Sequence, residues 1–396
     1  MIDREVDSLR LLWLTENYHP ARGGMAQSCD RIVDSLRKSA VTIDVVHFSQ
    51  RAAELKVEQK SRGKLILSPP GTDPSHAMNC VWNVVSADSN DTTHVVAFGG
   101  VLPLIAGPVY AAWLGVPLIT MIRGNDFDTA VFTPRRAEVL REALRRSARV
   151  TVVSRDKASK INALFPEIYP LWIPNGINLD LWEPLPSQLQ RAERWRRDTV
   201  EPGRRVLGMF GHIKQKKGGL ILLQALLGSG CADRFHLLFI GELDEEITNW
   251  LADHKDSVNS SIYPFADRYE LLSYYPACDF VVIASLYDGL PNVLLEAAAL
   301  RVPLLASTAG GMADVLEDGS HGFLFQPGNL HDCRNAVMRA AEVSADELER
   351  MGSQCRALVQ SRLTHEMETE RYLSLFRDTL RRPEDSVEKY PAYQGA

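Results

Sequence analysis

Short apolar runs alternate with amphipathic segments along most of the chain. LLWLTEN (11–17) reads as a strand ending at the Pro/Gly-rich loop HPARGG, and AQSCDRIVDSLRKS then repeats with a helical period. TIDVVHF, HVVAF, PLITMI and VTVVS read as further strands, with helical RRAEVLREALRRS between the last two. These strands are continuously apolar rather than alternating, the mark of parallel sheets covered by helices on both faces. WIPNGINLDLWEPLPSQ (172–188) interrupts the pattern with Pro, Gly and Asn, and polar LQRAERWRRDTVEPGRR follows. The alternation restarts with RVLGMF, GGLILLQALL, FHLLFIG, SIYPF, YELLSYYPAC, DFVVIAS, NVLLEAAAL, PLLAST and GFLFQP. Helical DELERMGSQCRALVQSR and HEMETERYLSLFRDTLRR come next, then a polar tail.

This pattern predicts an α/β fold of two Rossmann-like, doubly wound parallel-sheet domains facing across a cleft. The expected boundaries are 1–175 for the N-terminal domain, 176–204 for a linker region, 205–363 for the C-terminal domain and 383–396 for a flexible tail. Open parallel sheets bind ligands beyond the carboxyl ends of their strands, so two such edges suit a two-part ligand.

Composition narrows the class. The 396 residues suggest two or three domains, and 45% hydrophobic with 24% charged residues is ordinary for a globular chain. A disordered, collagen-like or small disulfide-stapled protein is excluded. With 44 basic against 50 acidic side chains the net charge is -6, which argues against nucleic acid as a partner. The six cysteines form no C-x-x-C pair and read as reduced thiols, hence a cytoplasmic location. MIDREVDSLR is too charged for a signal-peptide core, and the sequons at Asn90 and Asn259 mean little without a secretion route. Val95–Ile122 is uncharged over 28 residues, but its glycines and prolines divide it into strand, helix and strand rather than a membrane span.

Three constellations carry candidate chemistry. In S-L-Y-D-G-L-P-N-V-L-L-E (285–296) a buried strand ends in a tight loop and a helix begins near Asn292. The backbone from Gly289 and Leu290 through Pro291 and Asn292 to Val293 is expected to face an anion at that helix N-terminus. Asp288 and Glu296 flank it and can accept sugar hydroxyls; the plainer reading is a capping Asp and an exposed Glu. In F-G-H-I-K-Q-K-K-G (210–218) glycines such as Gly211 allow close approach, and Lys214, Lys216 and Lys217 supply positive charge; otherwise this is a solvated basic loop. Gly23 and Gly24, between the first strand and helix, allow close approach to a charged ligand, or make a plain turn. No Walker A loop and no strand followed by G-x-G-x-x-G is present.

L-Y-D-G-L-P-N-V-L-L-E-A resembles the E-x7-E motif of family 4 retaining glycosyltransferases, with Asp288 in place of the first Glu. I-P-N-G-I-N (173–178) resembles the family's P-N-G-[IV]-D, with Asn178 for Asp. G-H-I-K-Q-K-K-G resembles G-R-L-x-x-x-K-G, with His212 for the arginine. A-G-G-M-A-D-V-L-E-D-G-S-H-G-F-L-F (309–325) resembles the family's G-G-x-x-E stretch, with Asp314 for Glu. The resemblance runs from Leu11 to about Arg381. It implies the GT-B fold, with the helix at about 364–382 packing back on the N-terminal domain. It implies a UDP- or GDP-linked sugar donor held by the C-terminal domain, a hydroxyl acceptor held by the N-terminal one, and no other cofactor. By position, Lys217 would hold the diphosphate, His212 would stand at the arginine's place, Asp288 would bind donor-sugar hydroxyls and Glu296 the nucleotide ribose. T-M-I-R-G-N-D-F-D (120–128) resembles members carrying R-G-x-D, so Arg123 and Asp126 are candidates beside the reacting centre, or else a structural pair.

Asp126-Phe127-Asp128 also spells D-x-D, the metal motif of the other large glycosyltransferase fold. Two nucleotide-binding units and available lysines favour no metal. RRAEVLREALRRSAR (135–149) reads as a solvated face or as an N-terminal-domain contact with an anionic membrane at its inner face. A GT-B phosphorylase or epimerase, and a non-catalytic nucleotide-sugar-binding protein, remain alternatives; the acceptor and the oligomeric state stay open.

Overall fold

The computed structural model describes residues 9–21, 23–88 and 91–380. Asn90, most of the N-terminal MIDREVDSLR and the tail 383–396 lie outside the described residues. The chain divides into two units, one comprising Met1–Val152, Ile161–Ile173 and Thr369–Ala396, the other Val153–Lys160 and Pro174–Glu368.

The first unit contains β1 (Arg10–Thr15), β2 (Thr42–Phe48), β3 (Lys56–Lys60), β4 (Gly63–Ser68), β5 (His94–Phe98), β6 (Leu118–Ile122), β7 (Arg149–Val152) and β8 (Leu171–Trp172). They form one sheet in the order β3-β4-β2-β1-β5-β6-β7-β8, parallel except for the β3–β4 pair. Alternate residues of β1 point to opposite faces, and both faces are buried. Leu11 and Trp13 pack with Cys29, Ile32 and Leu36 of helix Gly24–Lys38 and with Tyr372 and Phe376 of helix His365–Leu380. Leu12 and Leu14 pack with Val81, Ala106 and Tyr110 of helices Pro74–Ser86 and Val101–Leu114. That is why the strand reads as a continuous apolar run. Val95–Ile122 is β5, helix Val101–Leu114 and β6, as its glycines and prolines indicate. Among the described residues no helix is long and apolar enough to cross a membrane.

The second unit contains β9 (Arg205–Ile213), β10 (Phe235–Leu243), β11 (Asn259–Tyr263), β12 (Phe280–Ile283), β13 (Leu304–Ser307) and β14 (Gly322–Phe325). Their order is β11-β10-β9-β12-β13-β14, with every pair parallel. Leu207, Met209, Phe239 and Val282 meet Leu222 and Leu226 of helix Gly219–Gly228 and Cys333 and Val337 of helix Leu330–Glu342. The stretch 176–204, expected as a linker, contains a 3-10 turn, Leu179–Trp182, and helix Pro186–Thr199. Trp195 Nε1 donates to Tyr263 Oη at 2.8 Å and Arg196 pairs with Asp279 at 2.7 Å, which ties this helix to the second sheet.

Each sheet has one point where the strand order reverses. It lies between β1 and β5 in the first unit and between β9 and β12 in the second. The carboxyl ends of the strands at such a point diverge into loops, and ligands bind there.

Candidate active site

In the second unit the reversal brings two loops together. The loop after β9 carries Lys214, Lys216 and Lys217; the loop after β12 carries Ser285 to Pro291. Leu286 N–H donates to Lys216 C=O at 2.8 Å, which links them. Gly218 sits at φ +66°, and a Cβ there would collide with the Ala284 carbonyl, so only glycine permits this approach.

The contact places Lys217 Nζ 2.6 Å from Asp288 Oδ2. Ser285 Oγ donates to the same oxygen at 3.2 Å, and Gly289 N–H donates to Asp288 Oδ1 at 2.9 Å. Burial alone would raise the Asp288 carboxyl. The Lys217 charge and hydrogen bond, helped by Lys216 and the Gly289 amide, more than offset it and hold the group below the usual carboxylate range. Asp288 is thus an ionised counter-ion to Lys217. The turn is braced from three sides: Asn175 Nδ2 donates to Leu290 C=O at 2.5 Å, Gly311 N–H to Gly289 C=O at 2.8 Å, and Ser307 Oγ to Ser285 C=O at 2.6 Å.

Helix Asn292–Ala299 starts directly after this turn, with Pro291 as an N-cap that makes no side-chain cap. The expected amide row is shorter than its residue range, because Pro291 has no N–H; Leu290, Asn292 and Val293 do. Glu296 lies one turn into the helix and is buried. Its Oε2 accepts from Tyr275 Oη at 2.5 Å. Gly211 lies near the end of β9 with open space on its Cβ side. His212 turns both ring nitrogens to carboxylates: Nε2 is 3.0 Å from Asp244 and Nδ1 is 3.5 Å from Glu242. Asp244 also accepts from Gln215 N–H at 3.2 Å, so it anchors the basic loop.

In the first unit Gly23 is the N-cap of helix Gly24–Lys38, and a Cβ added to it would meet nothing within 4 Å. Arg123 and Asp126 both follow β6 but point to different tasks. The Arg123 guanidinium is buried over the Phe98 ring, 5.1 Å from its centroid, and donates to Tyr372 Oη at 3.0 Å. Asp126 accepts backbone N–H bonds from Arg123 (2.8 Å), Gly124 (2.7 Å) and Phe127 (3.1 Å), which fixes the turn. Burial raises the Asp126 carboxyl, and those amides with the Arg123 charge offset this only in part. Phe127 is core, so the D-x-D triplet does not present two carboxylates side by side from one strand. No group of three or more His, Cys, Asp or Glu among the described residues is arranged to hold a metal ion.

Residues 204–342 match the family model described as glycosyl transferases group 1, and residues 22–181 match that of glycosyltransferase family 4. The chain is a glycosyltransferase of the group 1, family 4 type. The 2-deoxystreptamine glucosyltransferase of Streptomyces kanamyceticus is 25% identical over 280 residues, 65% of this chain and 70% of that protein. Spore coat protein SA of Bacillus subtilis is 27% identical over 222 residues, 51% of this chain and 57% of that protein. The solved structure of Anabaena HepE with UDP and glucose covers 93% of this chain and 100% of that one, with TM-score 0.75 and 18% identity. Sucrose-phosphate synthase from Thermosynechococcus elongatus covers 94% and 99%, with TM-score 0.78 and 17% identity. The fold of this glycosyltransferase is therefore GT-B.

Two residues that support candidate groups carry no signal that sequence reasoning singled out. Tyr275, which holds Glu296, sits in an apolar-looking segment, and only its hydroxyl at a fully buried position betrays a task. Glu16, just past β1, accepts from Leu102 N–H at 2.6 Å and so fills the N-terminus of helix Val101–Leu114. Its signal is an acid directly after an apolar strand beside the pair Gly99–Gly100.

Proposed function

We propose that the protein moves a sugar, with retention of configuration, from a UDP- or GDP-linked donor to an acceptor hydroxyl, without a metal or a further cofactor. The observation that carries this is the Lys217–Asp288 pair set beside the uncapped start of helix Asn292–Ala299 at the strand-order reversal of the second unit. The complex of HepE with UDP and glucose supports the donor class. Breaking the bond from sugar C1 to the diphosphate oxygen leaves negative charge on phosphate. The Lys217 ammonium and the amides of Leu290, Asn292 and Val293 oppose that charge, and such stabilisation is usually the largest catalytic contribution. The acceptor oxygen forms the new C1–O bond on the face the phosphate leaves, and its proton passes to a phosphate oxygen. Asp288 keeps Lys217 in place, and Glu296 takes ribose hydroxyls. The free cysteines are in keeping with a reducing, cytoplasmic compartment.

The test is incubation with a panel of UDP- and GDP-sugars, with and without chelator, scored for donor breakdown and for transfer to hydroxyl acceptors. Chelator-resistant breakdown that Lys217→Met removes supports the reading. Phosphate-dependent breakdown would make it a phosphorylase, a change of sugar configuration an epimerase, and binding without turnover a non-catalytic protein.

A membrane contact has its own observation. Phe132 is 87% exposed immediately before helix Pro134–Arg146, and Arg135 and Arg136 make no ion pair among the described residues. Arg141, Arg145 and Arg146 are paired to Glu138, Glu167 and Glu142. An apolar tip beside unpaired arginines suits an anionic lipid surface. Flotation with vesicles containing acidic phospholipid, but not with neutral ones, and its loss in Phe132→Ser/Arg135→Glu/Arg136→Glu, tests this contact.

A further inference from the structure

Glu296 raises a physical question. A buried carboxylate is costly, and a well-packed apolar residue in its place is often neutral or stabilising. The structure keeps the carboxylate and sets a buried phenol against it as a donor. Tyr275 is completely buried, in the short turn Tyr275–Ala277 before β12. Its ring lies parallel to that of Phe210, with centroids 4.0 Å apart and planes at 16°, and Trp182 meets it edge-on at 5.8 Å and 78°. Held on two sides, the ring has one place for its hydroxyl, 2.5 Å from Glu296 Oε2. Burial, followed by the Glu296 charge, raises the phenol well above its usual range, so it stays a donor. Phe210 is the residue before Gly211, in the strand that carries the basic loop.

We propose that Tyr275 is the positioning residue that fixes the Glu296 carboxylate for a vicinal diol, and so sets the preference of this site for ribonucleotides over nucleotides lacking the 2′ and 3′ hydroxyls. The inference rests on the reading that Glu296 faces the nucleotide ribose. A glutamate side chain has three rotatable bonds. Without the tyrosine hydroxyl the carboxylate loses the bond that orients its Oε2, and its bonds to a diol weaken. Contacts to base and diphosphate do not pass through this pair and are unaffected.

The experiment is calorimetric titration of the full chain with UDP or GDP, whichever binds, and with its 2′,3′-dideoxy counterpart. The wild type is expected to favour the ribonucleotide by about ten-fold or more, the worth of hydrogen bonds to a charged group. Tyr275→Phe, which removes one oxygen and keeps the ring, should weaken the ribonucleotide about ten-fold, leave the dideoxynucleotide unchanged and bring the ratio close to one. Phe210→Leu keeps the hydroxyl but loosens its support; it should lower the ratio too, and it stands as the test if Tyr275→Phe does not fold. Full selectivity in both variants would overturn the role of Tyr275 while leaving Glu296 as the ribose ligand. A wild type that binds both nucleotides equally would overturn the Glu296 assignment and this inference with it. Binding of neither UDP nor GDP would overturn the nucleotide-sugar reading itself.

Discussion

Replacing Gly310 by alanine tests whether the shape of the 285–291 turn is what makes the site. Gly310 sits at φ +56°, and a Cβ there would strike the Asp288 carbonyl and stand 2.9 Å from both Asp288 C and Gly289 O, inside the 3.0 Å that real Cβ atoms keep. The turn is braced at Gly289 by Gly311 and at Leu290 by Asn175, so the clash is relieved by moving the turn as a piece, by about 1 Å. A misplacement of that size costs on the order of 100-fold in rate, about 2.7 kcal/mol. The left-handed backbone adds about 1–2 kcal/mol of strain, a drop of roughly 2–8 °C in melting temperature for a unit of this size. Gly230 is the control: at φ +71° it has nothing within 4 Å of a Cβ, so Gly230→Ala carries the strain without the collision. Gly230→Ala should lose only the stability the strain costs, Gly310→Ala at least that much, and only Gly310→Ala should lose donor turnover. Equal turnover in the two would refute the argument that the turn's position governs the chemistry.

Lys217→Met should cost about 3 kcal/mol in the barrier, read as kcat/KM for the donor, and adding Asp288→Asn to it should cost little more, because Asp288 acts through the lysine it holds at 2.6 Å. Burial pushes the His94 imidazole down to about 4, with Thr93 and Thr379 hydroxyls on its two nitrogens. Its folded value lies below the unfolded one, so its contribution is present above about pH 6.5 and is lost as pH falls toward 4, by at most about 3 kcal/mol. Urea titrations from pH 7 to 4 should show a shallower pH dependence for His94→Gln than for wild type; identical slopes would count against it. Tyr372→Phe removes one acceptor from the buried Arg123 guanidinium and should cost about 1–2 kcal/mol in urea denaturation; nucleotide affinity should not change if the proposed donor site in the other unit is right.

Much of this glycosyltransferase is legible in its residues, and the illegible parts share a physical cause. Strands such as HVVAF and DFVVIAS are buried on both faces, so nothing in their pattern competes with the strand reading. β3 gives no such signal: K-V-E-Q-K is an edge strand whose residues are mostly exposed, and its lysines suit an unpaired edge rather than a core. Helix Leu330–Glu342 is similarly quiet. Cys333, Ala336, Val337 and Ala340 do recur at helical spacing, but alanine and cysteine give a weak hydrophobic signal. At the site, Asp288, Lys217 and Glu296 stand out because each sits in a motif next to a loop. Ser285, three residues before Asp288, lies in the same motif, but two supports do not: Tyr275 comes to Glu296 from 21 positions away and Asn175 to the Leu290 carbonyl from 115, separations that no local pattern encodes. The task of Arg123 is equally hidden, since Tyr372 is supplied by a helix 249 positions further on.

That last helix has a consequence for synthesis. Tyr372, Leu373, Leu375 and Phe376 belong to the core around Trp13 and Phe98, yet they are translated after the entire second sheet. The half made first on the ribosome is thus the half finished last, and until those residues emerge the nascent chain carries an open apolar trough with Arg123 at its floor. A stop codon shortly after Thr364 would leave the second sheet's strands intact and injure the first sheet's core, the reverse of what their order in the gene suggests.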